Sequence, residues 1–350
     1  MSKILESARH YLQEQIRPNA FSIDHDFKVM KVAFDGLKEQ GLLALKRPKE
    51  FGGPGLSEAE FRQFQEDCSR YSGALAFLQT QHQSAVNLIT KQAADATKNH
   101  YLPRMHGDLT MGLGFSQLRR AGNPICRAKQ VEGGFQIDGH VPWITGKGIF
   151  DEYIIGATLP NGQALFGFIP FKSSANQSLS KPMKLAAMQA ASTVTANLNG
   201  YFLPNKRVAF IKDSGWIRAN DAFNITLQGH FALGCAMAGI DVIHDNIKNR
   251  HLSALEPYAL KLTDEVNRCR ATLVDFQGDT SEETTPARLD ARAWAIEVMM
   301  RCAQSAVTSS SGSANQLEHD ANRILREAIV FTVSAQTQGI MLATLNRLSR

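Results

Sequence analysis

The sequence has little that would cross-link the chain or anchor it in a membrane. Its five cysteines form no Cys-x-x-Cys pair, the usual spacing in zinc and redox motifs; they are Cys68, Cys126, Cys235, Cys269 and Cys302. We therefore expect buried thiols in a reducing compartment, and no metal site. No apolar run approaches the roughly 20 residues of a transmembrane helix. Residues 1–15 read as an amphipathic helix rather than a secretory signal, so we expect a cytoplasmic protein without a membrane partner.

Charge of one sign is also scarce. The 38 basic and 33 acidic residues give a formal net charge of +5, and the basic residues are scattered along the chain. This pattern argues against a nucleic acid partner. The 350 residues are 43% hydrophobic, which is typical of a globular protein. Because single cores stop growing near about 250–300 residues, the length predicts more than one domain.

Hydrophobic periodicity divides the chain into three predicted domains. Residues 1–108 carry apolar side chains at helical spacing and predict an N-terminal helical domain. Residues 109–215 contain short stretches of period two, which predict a small antiparallel β-barrel or sandwich. Residues 216–350 return to helical periodicity and predict a C-terminal four-helix bundle, with a last helix over 324–348. The predicted fold class is mainly α with a central β-domain.

Local signals support this division. Ser57 and Glu60 have the spacing of a capping box at a helix start. Residues 130–139 predict a hairpin, and residues 159–162 predict a second one because they contain the Asn-Gly turn pair. The polar segment 277–286 predicts a surface linker between two helices.

Short motifs at the joints between these domains resemble those of the acyl-CoA dehydrogenase superfamily. They follow the family's order along nearly the whole chain: Pro48–Gly55, Tyr101–Asp108, Gly133–Gly139, Trp143-Ile-Thr145, Phe202–Val208, Gly229–Arg250 and Arg326-Glu-Ala328. Each motif is weak alone, and their order is what makes the resemblance specific. It implies a three-domain flavoprotein with FAD held between the β-domain and the bundle.

The resemblance also implies residues that bind the cofactor. By position, Trp143 packs on the flavin ring and Thr145 bonds the edge of the ring; the alternative for Trp143 is a core aromatic. Ser116 takes the place of a family threonine in a second flavin-binding segment. Gly122 keeps the turn of that segment, and Asn123 replaces a serine that reaches the pyrophosphate.

Two departures concern the catalytic base. Acyl-CoA dehydrogenases remove an α-proton with a glutamate while hydride leaves for the flavin. Counting from Arg326, the glutamate of the Glu-Gly-Thr segment falls on Ala335, and the threonine is kept as Thr337. The family's alternative glutamate, early in the first bundle helix, falls on Asn224. Neither side chain is a base, so the catalytic residue is unknown.

Other acidic or basic side chains are not expected to replace the missing base. The acidic residues Glu318 and Asp320 and the intervening His319 open a helix, where such residues usually cap or solvate. Glu327 stands in the family's Asp position, and we give it the same structural interpretation. A lone His82 on a helix is more often a satisfied polar residue than a catalytic group.

Further departures from the family's motifs concern residues that would bind the cofactor. Arg250 lacks the Phe-Gly that follows it in the family, and a Gly-Gly-x-Gly loop is replaced by the serine-rich segment 309–314. Arg119 and Arg120 add charge near the expected phosphates, and they either bind a phosphate or solvate a loop. These features imply FAD that is bound loosely or supplied in reduced form.

Three functions follow from the resemblance. The first is a flavin-dependent oxidoreductase acting on an acyl-thioester-like or other small organic substrate. The second is a flavin-dependent monooxygenase that uses reduced flavin and dioxygen and needs no α-proton base. The third is a non-catalytic binding or assembly protein. The implied partners are a small-molecule substrate, an electron-transfer partner or flavin reductase, and further copies of the chain in a homodimer or homotetramer.

Overall fold

The computed structural model describes residues 2–349, in which helices, a sheet and further helices follow one another along the chain. This order confirms the predicted fold class. The helices are α1 (Lys3–Tyr11), α2 (Ala20–His25), α3 (Phe27–Glu39), α4 (Glu58–Tyr71), α5 (Gly73–Gln92), α6 (Asp95–Tyr101), α7 (Trp216–Phe223), α8 (Gly229–Arg250), α9 (Glu256–Asp275), α10 (Thr285–Ser310), α11 (Asp320–Val333) and α12 (Gln338–Leu348). The strands are β1 (Met111–Gly114), β2 (Cys126–Val131), β3 (Gly134–Ile144), β4 (Glu152–Thr158), β5 (Ala164–Pro170), β6 (Gln177–Leu179), β7 (Val194–Pro204) and β8 (Val208–Lys212).

The N-terminal helices begin at polar caps. The capping box predicted at α4 is confirmed, since Ser57 accepts from the Glu60 N–H and the Glu60 carboxylate accepts from the Ser57 N–H. Asp26 caps α3 in a similar way through its carboxylate. Such caps satisfy amides that a helix start leaves unpaired. Helix α5 then runs through the interior, with most of its side chains buried.

The sheet has eight strands in the described residues, in the order β6-β7-β3-β2-β4-β5-β8, with β1 beside β4. Both predicted hairpins are confirmed, because β2 pairs with β3 across Gly133 and β4 pairs with β5 across the 159–163 loop. Gly133 and Gly162 take the left-handed conformation that such turns need. The β1–β4 and β2–β4 pairs are parallel, an arrangement that period-two patterns do not reveal.

The C-terminal helices pack mainly around α8 and α10, which are apolar over much of their length. The prediction of one helix over 324–348 is wrong, since α11 ends at Val333 and α12 starts at Gln338. The break falls where Ala335 takes a φ of 49° and Thr337 caps the next helix. Apolar periodicity continues through this break, which is why the pattern concealed it.

The N-terminal helices and the bundle join through α4 and α8. Arg70 of α4 forms a two-pronged ion pair with Asp241 of α8, at 2.7 and 2.8 Å. Ser69 donates its hydroxyl to the Phe231 carbonyl at 2.6 Å. The five cysteines are free and buried, which confirms the expectation of buried thiols.

Candidate functional site

Trp143 and Thr145 lie at the end of β3, where the strand pairs with the start of β7. The Trp143 side chain is 48% exposed, so the alternative of a core aromatic is not what the structure shows. Thr145 is buried, and its hydroxyl oxygen lies 3.0 Å from that of Thr193. An exposed indole beside a buried hydroxyl pair can hold a flat aromatic ligand at its face and its edge.

Ser116 lies in the short turn that follows β1. Its Oγ is buried and has no hydrogen-bond partner among residues 2–349. The turn itself is held by Gln117, whose amide donates to the carbonyls of Gly114 and Gly156 at 3.1 and 2.7 Å. A buried hydroxyl without a partner is uncommon and calls for an explanation, such as a bound group that completes its bonding.

The Ser116 turn and the Trp143–Thr145 segment lie side by side. A side chain at Gly112 would meet the Thr145 carbonyl oxygen at 3.0 Å, and one at Gly114 would meet the Ile144 side chain at 3.3 Å. The close approach of β1 to β3 therefore depends on these glycines. The structure thus brings together three of the predicted cofactor residues, Ser116, Trp143 and Thr145.

Gly122 and Asn123 lie on the exposed loop beyond this turn. Gly122 has a φ of +85°, which a residue with a Cβ rarely adopts. Nearby Arg119 forms a two-pronged ion pair with Asp221 of α7, at 2.7 and 2.8 Å. Arg119 therefore joins the loop to α7, which favours the structural interpretation of this arginine over the phosphate-binding one.

Thr337 and Ala335 belong to the turn between α11 and α12. The Thr337 hydroxyl accepts from the Ile340 N–H at 3.3 Å, and its own proton remains free to donate. The turn rests on Arg292 of α10, which is fully buried and donates to the Phe331 carbonyl at 3.2 Å. Burial lowers the pKa of Arg292 to about 10. Sequence reasoning missed this arginine, because a charged residue on a helix usually faces solvent.

Asn224 ends α7, three residues after the ion pair that Asp221 makes with Arg119. Its side-chain amide donates to the Asn220 carbonyl at 2.7 Å. The residue is half-buried, and Ile225 beside it is buried. The side chain that stands where the resemblance places a glutamate is therefore bonded to its own helix.

The other acid-base candidates have structural roles. Glu327 is fully buried and paired with Arg323 at 2.8 Å, and burial raises the pKa of its carboxyl. His319 caps α11 by accepting from the Ala321 N–H. Glu318 and Asp320 are exposed at the same helix start. The contacts at the helix start agree with the capping interpretation. Glu327 lies in the middle of α11, where it is buried and ion-paired, so its interpretation as a cap or a solvated group is wrong.

His82 is a satisfied core residue. Its Nε2 lies 2.8 Å from the Met105 carbonyl, and its Nδ1 accepts from the Met111 N–H at 3.1 Å. The Nδ1 contact fixes the proton on Nε2, and burial lowers the pKa of His82 to about 4. The neutral ring therefore joins α5 to β1.

The serine-rich segment 309–314 is held by α8. Asn246 donates to the hydroxyls of Ser309 and Ser310 at 3.2 and 3.0 Å. Arg250 donates to the Ser309 carbonyl at 3.0 Å. Ser311 has a φ of 55°, a conformation that favours glycine.

Thr193 is a site residue that sequence reasoning missed. The sequence carries no signal for it, because the pairing of Ile144 with Val194, which brings Thr193 beside Thr145, is seen only in the structure. Among the described residues, no group of three His, Cys, Asp or Glu side chains could hold a metal ion. None of the helices in residues 2–349 has the length and apolarity to cross a membrane.

The fold and the site define a class of protein in which a sheet lies between two helical regions and carries an exposed aromatic face. Comparison with known sequences shows which proteins the chain resembles. Residues 2–107 match the family described as acyl-CoA dehydrogenase, N-terminal domain. The mitochondrial isovaleryl-CoA dehydrogenase of Oryza sativa subsp. japonica is 22% identical over 370 residues, covering 98% of this chain and 89% of that protein.

Two further comparisons agree. The 3-(aryl)acrylate reductase of Clostridium sporogenes is 21% identical, covering 97% of each chain. The solved structure of butyryl-CoA dehydrogenase from Megasphaera elsdenii superposes with a TM-score of 0.83 at 17% identity, covering 100% of this chain and 99% of that one. The chain is therefore similar to acyl-CoA dehydrogenases over nearly its whole length, and it has the fold of that superfamily.

Proposed function

We propose that this chain is a flavin-dependent oxidoreductase that binds FAD between the sheet and the bundle. Its substrate would be an acyl thioester or another small organic molecule. The observation that carries the proposal is the buried Ser116 Oγ without a partner among the described residues. It lies in the turn beside the segment that carries the exposed Trp143 face, where a bound ring would complete its bonding.

Several residues are suited to hold the cofactor. Trp143 would cover the ring, while Ser116 and Thr145 would bond its edge. Thr337 offers a free hydroxyl proton from the bundle side, and Gly122 with Asn123 would approach the pyrophosphate. When bound, FAD supplies an acceptor for the hydride that leaves a substrate carbon.

The substrate proton is the open part of this chemistry. Oxidation of an acyl thioester releases a hydride to FAD and a proton to a base. Ala335 has no group that takes a proton, and the Asn224 amide is bonded to Asn220. We therefore propose that the ordinary dehydrogenation is slow in this chain.

The missing carboxylates favour a second candidate, a flavin-dependent monooxygenase that uses reduced flavin and dioxygen. This reaction needs no base for an α-proton. The segment 309–314, whose hydroxyls are engaged by Asn246, would also suit FAD that is held loosely and supplied reduced. An electron-transfer partner would then serve the first function and a flavin reductase the second.

Binding of the cofactor tests both enzymatic proposals. We expect FAD or reduced FAD to raise the melting temperature, and FAD to add a flavin absorbance band to the protein. Ser116→Ala should weaken FAD binding about threefold to tenfold, the effect of one hydrogen bond. The matched control is Ser178→Ala, because Ser178 is exposed on the edge strand β6, and it should bind FAD like the wild type.

The outcomes separate the three functions. Oxidation of butyryl-CoA with an artificial electron acceptor favours the dehydrogenase, and substrate-dependent oxygen consumption with reduced FAD favours the monooxygenase. Flavin binding without butyryl-CoA oxidation and without oxygen consumption favours the non-catalytic binding protein. A protein without absorbance or melting change for either form of FAD would refute both enzymatic proposals.

We also propose that the chain forms a homodimer or homotetramer. The support is an apolar surface on the last two helices, made of exposed side chains at helical spacing: Ile329, Val333, Met341, Leu342, Leu345 and Leu348. Adjoining exposed apolar side chains of this kind often mark an interface. A sedimentation-equilibrium mass equal to one chain would contradict the proposal.

A further inference from the structure

Asp24 is a buried carboxylate that contacts two distant parts of the chain. It lies on α2 and is 0% exposed. One oxygen accepts from the Met188 N–H in the loop before β7. The other accepts from Arg326 Nη1 of α11 at 2.8 Å, and His25 Nδ1 lies 3.3 Å from it. A side chain from the N-terminal region therefore ties the sheet to the bundle.

The loop that Asp24 holds is strained. Met188 and Ser192 have φ values of 59° and 54°, and they bracket a single helical turn, Gln189–Ala191. Residues other than glycine are strained in this region and persist there only where other contacts hold them. The charge-assisted bond from the Met188 N–H to Asp24 is such a contact.

The same loop braces the segment that follows Thr145. The Ala191 carbonyl accepts from the Gly146 N–H at 2.9 Å, and the Ser192 carbonyl accepts from the Lys147 N–H at 3.2 Å. The next residue, Thr193, holds the Thr145 hydroxyl at 3.0 Å. Displacing the loop would therefore displace the proposed flavin edge.

Arg326 extends the contact toward the bundle side of the proposed site. It also donates to the Ala186 carbonyl at 3.0 Å and to Asn322 Oδ1 at 2.9 Å. Asn322 in turn donates to the Ala314 carbonyl at 3.2 Å, at the end of the serine-rich segment. One chain of polar contacts thus joins the Thr145 edge to that segment.

We propose that the Asp24–Arg326 pair is a positioning device that sets the geometry of the Thr145 edge. The inference rests on the proposed function, because the edge matters only if a flavin binds there. Neither residue is catalytic. Their effect reaches the site through the strained loop at Met188.

The test is Asp24→Asn compared with Asp241→Asn. Asp241 pairs with Arg70 and also joins the N-terminal helices to the bundle. Unlike Asp24, it is not bonded to the Met188 loop. We expect Asp24→Asn to raise the dissociation constant for FAD about tenfold, through loss of one charged hydrogen bond, and to change the visible circular dichroism of the flavin. Asp241→Asn should leave both unchanged.

A second readout does not depend on the cofactor. Labelling with 5-fluorotryptophan gives one fluorine resonance for each of the three tryptophans. Asp24→Asn should move the resonance of Trp143, which precedes Thr145 by two positions, more than the other two. Asp241→Asn should leave the Trp143 resonance in place. Arg326→Lys replaces Asp24→Asn if the latter does not fold.

The two proposals fail in different ways. If the wild type binds no FAD, the proposed function fails and the Trp143 resonance alone decides the positioning role. If the wild type binds FAD but Asp24→Asn keeps the same dissociation constant and the same Trp143 resonance, the positioning role is refuted.

Discussion

The sheet side and the bundle side of the candidate site differ in what they retain. On the sheet, Trp143 is exposed and Thr145 is paired with Thr193, as a ring-binding surface requires. On the bundle, Ala335 and Asn224 stand where the resemblance places glutamates. Under the proposed function, the sheet side offers groups suited to bind a flavin, whereas neither Ala335 nor Asn224 on the bundle side can accept a proton.

This difference separates two tasks that one reaction normally combines. Accepting a hydride depends on how the cofactor is held, whereas removing a proton depends on a base within bonding distance of the substrate. Because the two tasks lie on different elements, substitutions in the bundle can change the reaction without dismantling the sheet surface. The predictions below test this separation.

The largest effect is expected from restoring the carboxylate on the bundle. Ala335→Glu should raise butyryl-CoA oxidation at least about 100-fold, the lower end of what a general base contributes. The rate is measured with an artificial electron acceptor. It should fall as the pH drops below the pKa of the new carboxyl, because a protonated glutamate cannot take a proton.

The matched control is Ala335→Gln, which has the same length and no base. Equal rates in the glutamine and glutamate variants would show that the carboxylate was not the missing part. The sheet side and the bundle side would then differ in something other than the base.

The next effect concerns the junction of α5 with the sheet. His82 has a pKa of about 4 in the folded protein against an ordinary value of 6.5, so the unfolded chain binds more protons between these values. The free energy of unfolding should therefore fall as the pH drops, by about 1.4 kcal/mol per pH unit in that window. Urea unfolding from neutral pH to about pH 4.5 measures the slope.

His82→Gln should show a shallower slope over the same window, whatever its stability at neutral pH. Identical slopes in the two proteins would mean that burial does not lower the pKa of His82. The description of His82 as a neutral ring that joins α5 to β1 would then be contradicted.

The smallest effect concerns the serine-rich segment of the bundle. Ser311 has a φ of 55°, so Ser311→Gly should raise the free energy of unfolding by about 1 kcal/mol. Ser313→Gly is the control, because Ser313 bonds the Ser310 carbonyl and the change should destabilise the protein. A loss of stability in both variants would contradict a strained backbone at Ser311.

Much of the fold could be predicted from the sequence because its signals are local. The Ser57–Glu60 box and the turn at Gly133 depend on residues a few positions apart, and both are confirmed. The parallel pairing of β1 with β4 depends on contacts about 40 residues apart. The break at Ala335 was hidden for another reason, since apolar residues recur on both sides of it.

The candidate site was predicted in part. The Trp143-Ile-Thr145 motif indicates the sheet surface from the sequence alone. Asp24 and Arg326 could not have been linked, because they are 302 positions apart and each looks like an ordinary surface charge. Arg292 was missed because its partners are backbone carbonyls, which have no residue signature.

The five buried thiols provide a reporter of local opening. Burial raises the pKa of each thiol, to about 12 for Cys126, Cys269 and Cys302. It also raises the pKa of Cys68 and Cys235 well above the ordinary value of a thiol. An alkylating reagent reacts with the thiolate, so labelling requires the surrounding structure to open. Cys68 lies in the N-terminal helices, Cys126 in the sheet and the other three in the bundle, so the order of modification would rank how readily each region opens.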